Sequence, residues 1–151
     1  PHTALPRGRA RLSRGTFLGF DYGRKHTGVA VGSRHSGAAQ PLALLTARGR
    51  EPDWPAIDRL IDEWRPEALV VGLPLNMDGS ENAMTRAARA FGEALRARYN
   101  LPVHMVDERL SSRIATDMLL EAGVPLKRHK HQIDKRAAQT ILQAFLDETA
   151  R

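Results

Sequence analysis

The chain lacks cysteine, contains only 5% aromatic residues and has no long apolar run. Without cysteine it forms neither disulfides nor thiolate metal sites, and this fits a cytoplasmic protein. A membrane-spanning helix needs about 20 apolar residues in succession, so we expect no membrane partner. The scarcity of aromatic residues argues against a stacking platform for single-stranded nucleic acid, and it leaves the choice between RNA and DNA open.

Positive charge, by contrast, is abundant. The chain has 23 lysine and arginine residues against 17 aspartate and glutamate residues, which gives a net charge of +6. This balance favours an anionic partner, most simply nucleic acid. The first 14 residues carry several arginines and few apolar side chains. We therefore predict a flexible basic arm at residues 1–15 and a single domain at residues 16–151, as a monomer or a homodimer.

Short apolar runs predict five strands. Three of them, at residues 16–21, 27–32 and 41–46, follow one another closely and should form an antiparallel meander. Two more, at residues 68–72 and 102–106, alternate with helical patterns, so they should run parallel to the first strand. The expected fold is therefore α/β, with a mixed five-stranded sheet flanked by helices.

Apolar residues at helical spacing predict four helices around these strands. The first lies between the third and fourth strands, and Ser80 is expected to cap the second. Ser111 or Ser112 should cap the third. A basic loop at residues 127–131 should precede the last helix, which we expect to begin near Asp134.

Three acidic residues, far apart in the chain, lie where strands and helices would bring carboxylates together. Asp21 ends the first strand, and Glu108 follows the last strand, at the edge where open α/β sheets bind ligands. Asp134 is in helical phase with Ala138, which indicates that it leans toward the sheet. Carboxylates are preferred ligands of Mg²⁺, and two such ions can activate water to hydrolyse a phosphodiester.

Each acid also has a purely structural interpretation. Asp21 is compatible with a turn-forming aspartate, and Asp134 with a helix N-cap. Glu108 is compatible with a local salt bridge or with a charge that interacts favourably with a helix N-terminus. The pattern does not separate Glu108 from the adjacent Asp107, because successive residues in an extended segment point in opposite directions.

Basic and amide side chains near these acids are candidates for contact with phosphates. Arg24 and Lys25 lie in the turn after the first strand, and Arg109 follows Glu108. Asn76 lies in a loop rich in proline, asparagine and glycine, where side-chain and backbone amides suit phosphate contact. The alternative is that the cations are ordinary surface charge and that the loop is a rigid connector.

Three motifs follow one another along the chain: Phe20-Asp21-Tyr22-Gly23, Val71-Gly72-Leu73-Pro74-Leu75-Asn76-Met77-Asp78-Gly79 and Asp107-Glu108-Arg109-Leu110-Ser111. In this order they resemble the YqgF family, also called RuvX, and the resemblance covers nearly the whole chain. It implies an RNase H-like fold, kinship with the Holliday junction resolvase RuvC, and a nuclease that acts on the 5′ end of pre-16S ribosomal RNA in bacteria.

The resemblance also implies site residues. It identifies Asp21, Glu108 and Asp134 as catalytic, metal-binding residues, and it thereby favours Glu108 over Asp107. The family pattern continues after the last Asp with a small residue and then alanines, whereas this chain has Lys135 and Arg136 before Ala137 and Ala138. We expect these two cations to remodel the metal site or to add a phosphate clamp.

The leading hypothesis is a Mg²⁺- or Mn²⁺-dependent endonuclease that processes the 5′ end of pre-16S rRNA. One alternative is a Holliday junction resolvase acting on branched DNA, and another is a non-catalytic assembly factor that binds rRNA by charge. An actin-like ATPase shares the opening hairpin, but it needs two such domains to close on a nucleotide, and a chain of 151 residues argues against that.

Overall fold

The apolar runs of the sequence assemble into one five-stranded sheet in a computed structural model of the protein. The structure describes residues 15–109 and 129–150, and for residues 129–135 it describes the backbone only. The sheet order is β3-β2-β1-β4-β5. Neighbours among the first three strands are antiparallel, whereas β4 is parallel to β1 and β5 is parallel to β4. The predicted mixed sheet is confirmed, with strands β1 Thr16–Asp21, β2 His26–Ser33, β3 Ala38–Thr46, β4 Ala68–Leu73 and β5 Val103–Asp107.

The edge strand β3 differs from its prediction. It begins at Ala38, so Pro41 lies inside the strand instead of at its start. The pairing with β2 shifts register between Val29 and Ala30, and Pro41 is the partner of Ala30. Proline has no N–H to donate, and edge strands and bulges are the places where a sheet accommodates it.

Three helices within the described ranges cover the two faces of the sheet: α1 Trp54–Trp64, α2 Ala83–Tyr99 and α3 His129–Glu148. Helices α1 and α2 pack on one face, where Ile57 and Phe91 join the core of the sheet. Helix α3 packs on the other face, where Leu142 joins a second core. No helix in the described part of the chain is both long and apolar enough to cross a lipid bilayer.

The starts of two helices differ from the prediction. Asn82, and not Ser80, caps α2, because Asn82 accepts a hydrogen bond from the Thr85 amide and the Thr85 hydroxyl accepts one from the Asn82 amide. Helix α3 begins at His129, so part of the expected basic loop is helical and Asp134 lies in the second turn. The predicted N-terminal arm and the helix after Ser111 fall outside the described residues, apart from the arm's last residue.

Glycines bring α3 close to the sheet. A Cβ atom at Gly19 of β1 would lie 2.7 Å from Cβ of Leu142, and one at Gly32 of β2 would lie 2.9 Å from Cδ1 of Leu146. Real Cβ atoms essentially never approach so closely, so Gly19 excludes a side chain while α3 lies where it does, and a side chain at Gly32 would have to displace the end of Leu146. The helix therefore packs directly on the strand backbone, in close-packed contact.

Helix α3 also reaches the open edge of the sheet. The Gln139 side chain donates to the Ala39 carbonyl at 3.0 Å. The Gln143 side chain accepts from the Ala39 amide at 2.9 Å and donates to the Gly37 carbonyl at 2.8 Å. These amides bond the main chain of β3 on the side that faces away from β2.

Candidate metal and nucleic-acid site

Strand β1 delivers Asp21 to the carboxyl edge of the sheet. Asp21 is the last residue of β1, one residue beyond the Phe20–Val71 pair, and it is therefore level with Gly72 of β4. Side chains alternate along a strand, so Asp21 lies on the same face as Gly19, the face that α3 covers. Its strand partner is Gly28, where an added Cβ would lie only 3.8 Å from Cβ of Asp21.

The side chain of Glu108, which follows β5, packs against the backbone of Gly72 on β4. Glu108 follows β5 directly, and β5 is paired with β4. A Cβ atom at Gly72 would lie 2.8 Å from Cγ of Glu108, 2.9 Å from its Cδ and 2.4 Å from Cδ1 of Ile141. The position therefore has no room for a side chain. Gly72 lets the carboxyl group of Glu108 rest on β4, beside the strand that carries Asp21.

The two carboxyl groups affect each other electrostatically. Burial raises the pKa of Glu108 to about 8, and the negative charges of Asp21 and Asp107 add to this effect. A divalent cation at this place would favour the ionised form of Glu108 and offset the repulsion from Asp21. Oxygen donors held in this way suit Mg²⁺ or Mn²⁺, so the residues present fit such an ion.

Arg109 distinguishes Asp107 from Glu108. Its Nη2 lies 2.6 Å from Oδ2 of Asp107, and its Nε lies 3.1 Å from both carboxylate oxygens. These hydrogen bonds lower the pKa of Asp107. Asp107 is thus held as an ion pair at the surface, whereas Glu108 turns toward the sheet and the charge of Asp21.

The N-terminal part of helix α3 lies near the same carboxyl edge of the sheet. Its contacts with glycines run from Leu146 at Gly32, through Leu142 at Gly19, to Ala138, whose Cβ is 3.6 Å from an added Cβ at Gly28. Asp134 lies one helical turn before Ala138, in the direction of Asp21. The side chains of Asp134 and Lys135 are outside the description.

The third carboxylate therefore stays a prediction. Among the described residues, no three histidine or acidic side chains group together as a metal site. That range holds Asp21 and Glu108 of the predicted set, and it excludes the side chain of Asp134.

The predicted phosphate-binding residues fall into two groups. Arg24, Lys25 and Arg136 are exposed, and the first two lie in the turn directly after Asp21. Asn76 and Arg109 instead stabilise protein structure. The Asn76 side chain donates to the Ser80 hydroxyl at 2.9 Å and accepts from the Asn82 side chain at 2.8 Å.

Sequence reasoning did not assign a role to the glycines of the site. Gly28 and Gly72 carry no functional group, yet they make the room in which Asp21 and Glu108 lie. The available signal was an apolar strand that ends in glycine beside a polar loop, since such a glycine marks a close approach. The sequence does not say which group approaches.

Comparison with known proteins places these features in a family. A sequence model described as "RuvX: Holliday junction resolvase" matches residues 15–148. A protein of Methylobacillus flagellatus named "Putative pre-16S rRNA nuclease" is 46% identical over 141 residues, which cover 93% of this chain and 97% of the relative. A protein of the same name from Neisseria gonorrhoeae is 45% identical over 137 residues, which cover 91% of each chain.

Solved structures share the fold. The structure of T. thermophilus RuvC in complex with a Holliday junction substrate superposes with a TM-score of 0.52 at 19% identity, covering 90% of this chain and 98% of that one. The fowlpox virus Holliday junction resolvase superposes with a TM-score of 0.50 at 10% identity, covering 88% of this chain and 98% of that one. The architecture is therefore RNase H-like, as in RuvC.

Proposed function

The chain belongs to the RuvX family, and we propose that it is a Mg²⁺- or Mn²⁺-dependent endonuclease acting on the 5′ end of pre-16S rRNA. The observation that carries this proposal is the placement of Asp21 and Glu108 around Gly72, with burial and the charge of Asp21 raising the pKa of Glu108. Relatives at 45–46% identity carry the name of such a nuclease. The net charge of +6 suits a polyanionic substrate.

The chain's residues divide the work. Asp21 and Glu108, with Asp134 from α3, would hold the metal, and Glu108 releases its proton for this purpose. Two divalent ions, when bound, supply an activated water and neutralise the charge that develops on the phosphate. Arg24 and Lys25 would hold the flanking phosphates.

We propose that the protein acts in the cytoplasm and that further residues support its activity. We propose that Lys135 and Arg136 add cations to the phosphate-binding surface from α3. Arg109 and Asn76 act mainly by fixing the loop after β4. Nη1 of Arg109 donates to the Met77 carbonyl at 3.2 Å, and the Asn76 side chain donates to the Ser80 hydroxyl at 2.9 Å.

The description of the family model favours a second candidate, a resolvase of Holliday junctions. Such an enzyme must cut two strands, so it would work as a homodimer with two sites. End processing of RNA needs one site and is possible for a monomer. A non-catalytic assembly factor is the third candidate, and its binding of RNA would survive the loss of all three acids.

The test compares the wild type with Asp21→Asn and Glu108→Gln on two substrates, an RNA that spans the 5′ end of 16S rRNA and a four-way DNA junction. We expect cleavage of the RNA in Mg²⁺ to fall by more than about 100-fold in both variants, because even supporting residues of metal sites change activity by 10- to 100-fold. Glu93→Gln is the matched control, since Glu93 lies exposed on α2 in a pair with Arg96.

Each outcome separates the candidates. Preferred cleavage of the junction by the wild type would replace the RNA proposal with the resolvase. Equal activity of wild type and acid variants, in preparations of equal purity, would contradict catalysis at this site. RNA binding without cleavage by any of the proteins would support the assembly factor.

A further inference from the structure

Two large apolar side chains in the described part of the chain are strongly exposed, Leu44 at 61% and Met77 at 91%. Leu44 lies on the edge strand β3. Met77 lies in the loop between β4 and α2, which leaves the sheet immediately after Gly72 and Leu73. Single exposed apolar side chains are common on protein surfaces. Met77 differs because hydrogen bonds fix the backbone of its loop and because this loop is bonded to the segment that carries Glu108.

Hydrogen bonds within the loop fix its shape. The Asn76 amide donates to the Ser80 carbonyl at 2.9 Å, and the Gly79 amide donates to the Asn76 carbonyl at 2.8 Å. The Ser80 amide and hydroxyl both donate to Oδ1 of Asp78, at 2.9 and 2.6 Å. The polar groups on both sides of Met77 are therefore engaged with one another, and the loop presents Met77 in a preformed conformation.

One side chain fastens this loop to the carboxylate site. Nη1 of Arg109 donates to the carbonyl of Met77 at 3.2 Å, while Nε and Nη2 of the same guanidinium hold Asp107. Gly79 has φ +89, and a Cβ there would lie 3.4 Å from Nη1 of Arg109. Because Arg109 follows Glu108 directly, the backbone of Met77 is tied to the segment that carries the catalytic carboxyl group.

The two aromatic rings that flank Asp21 in the sequence are already engaged within the protein. Phe20, Tyr22 and Trp54 each contact Phe91, on the face that α1 and α2 cover. Met77 is thus the large apolar side chain that the loop beside the site offers to a substrate.

We propose that Met77 contacts an unpaired base next to the phosphate bound at Asp21 and Glu108, inserting its side chain beside that base. This inference rests on the proposed nuclease function. Apolar side chains, methionine among them, are used by nucleic-acid-binding proteins as wedges between bases. The exposed cations near the site hold phosphates of any sequence, whereas an apolar wedge favours a strand with an unpaired or easily unstacked nucleotide. Met77 therefore selects RNA that is unpaired at the site.

The experiment uses the full chain with Ca²⁺ in place of Mg²⁺, so that a divalent cation is present at the carboxyl groups and binding is measured with little cleavage. Two RNA hairpins are compared, one with a blunt paired end and one with an unpaired 5′ extension, in a series that places 2-aminopurine at successive positions of the extension. Fluorescence anisotropy gives the affinities, and the fluorescence of 2-aminopurine reports unstacking. The proteins are the wild type, Met77→Ala, Met77→Leu and, as the matched control at the other exposed apolar side chain, Leu44→Ala.

We expect the wild type to prefer the extended hairpin and to raise the fluorescence of 2-aminopurine at one position. Met77→Ala should bind the extended hairpin about tenfold more weakly, since burying a methionine side chain contributes about that ratio. It should also lose the fluorescence rise and keep its affinity for the blunt hairpin. Met77→Leu and Leu44→Ala should behave as the wild type.

Unchanged preference and fluorescence in Met77→Ala would overturn this inference, and so would an equal loss of affinity for both hairpins. Either result would leave the nuclease proposal standing if the wild-type preparation cleaves RNA in Mg²⁺. Failure of the wild type to bind either hairpin would also overturn this inference, and the cleavage assay in Mg²⁺ would then decide the nuclease proposal separately.

Discussion

The two faces of the sheet pack in different ways, although the α3 face also contains a pair of contacting phenyl rings, Phe17 and Phe145. On the face of α1 and α2, large rings fill the space, and Phe91 lies 4.9 Å from Tyr22, 5.6 Å from Phe20 and 5.9 Å from Trp54 between ring centroids. On the face of α3, glycines of the sheet let the helix approach the backbone itself. The aromatic face gains stability from buried area, whereas the glycine face gains positional accuracy where two carboxyl groups meet.

This contrast separates folding from chemistry. A change on the aromatic face should lower the free energy of unfolding and leave the site of the folded molecules intact. A change on the glycine face should displace a carboxyl group at a smaller loss of stability. Four substitutions or conditions test this division, the largest expected effect first.

The largest effect is expected at Phe91. Its ring is buried and contacts three other aromatic rings, so Phe91→Ala should reduce the free energy of unfolding by about 3–5 kcal/mol. Urea denaturation followed by circular dichroism measures this loss. Activity per folded molecule, measured well below the transition, should match the wild type. A selective loss of activity in the folded protein would contradict the separation of the two faces.

Gly72→Ala should have the opposite profile. The added methyl group would conflict with Cδ1 of Ile141 and with Cγ of Glu108, so we expect a loss of about 1–3 kcal/mol in stability and a large loss of activity. The double variant Gly72→Ala with Ile141→Val removes one conflict and leaves the other. It should recover stability without recovering RNA cleavage. Recovery of cleavage in the double variant would show that the contact with Glu108 is unimportant.

The pH dependence of stability should reveal Glu108 in the metal-free protein. Its pKa is about 8 in the folded chain, against an ordinary value of 4.5, so the folded state keeps a proton that the unfolded state releases between these values. Stability should therefore fall as pH rises from about 4.5 to about 8, by at most about 1.4 kcal/mol per pH unit. Urea midpoints at several pH values in EDTA measure this slope.

Glu108→Gln is the control for that slope, because glutamine does not titrate. The part of the slope due to Glu108 should vanish in this variant. Metal binding should run in the other direction and strengthen as pH rises toward 8, since the cation competes with the proton. A wild-type slope identical to that of Glu108→Gln would refute the raised pKa.

The smallest effect is expected where the aromatic face meets water. Asp58 accepts hydrogen bonds from Arg98 and from the Tyr99 hydroxyl. These bonds lower the pKa of Asp58 to about 2. The group is exposed to solvent, so Asp58→Asn should cost less than about 1 kcal/mol at pH 7. A loss as large as that of Phe91→Ala would mean that polar surface contacts, and not ring packing, dominate this face.

Much of the fold was predictable because its signals are local. The apolar runs of β1, β2 and β4 predicted strands, and the helical spacing after Trp54 predicted α1. Local signals also misled. Pro41 suggested a strand start, but an edge bulge accommodates it inside β3. The helix start at His129 was missed because the basic residues there lack apolar periodicity.

The candidate site was predictable only in part. Asp21 and Glu108 stood out as acids at strand ends, and in the structure the charge of Asp21 acts on the carboxyl group of Glu108. The sequence did not show that Asp107 is the partner of Arg109, because pattern alone does not show which of two adjacent acids turns inward. The role of Gly72 was not predictable either, since its contact with Glu108 depends on how closely two distant segments pack.

The glutamines that bond the outer side of β3 have a consequence for self-association. An open edge strand offers unpaired N–H and C=O groups to which a strand of another molecule can add. Here Gln139 and Gln143 already occupy both groups of Ala39, and two residues further on Pro41 has no N–H to offer. The molecule's own last helix and Pro41 therefore oppose the addition of a strand along the first part of β3.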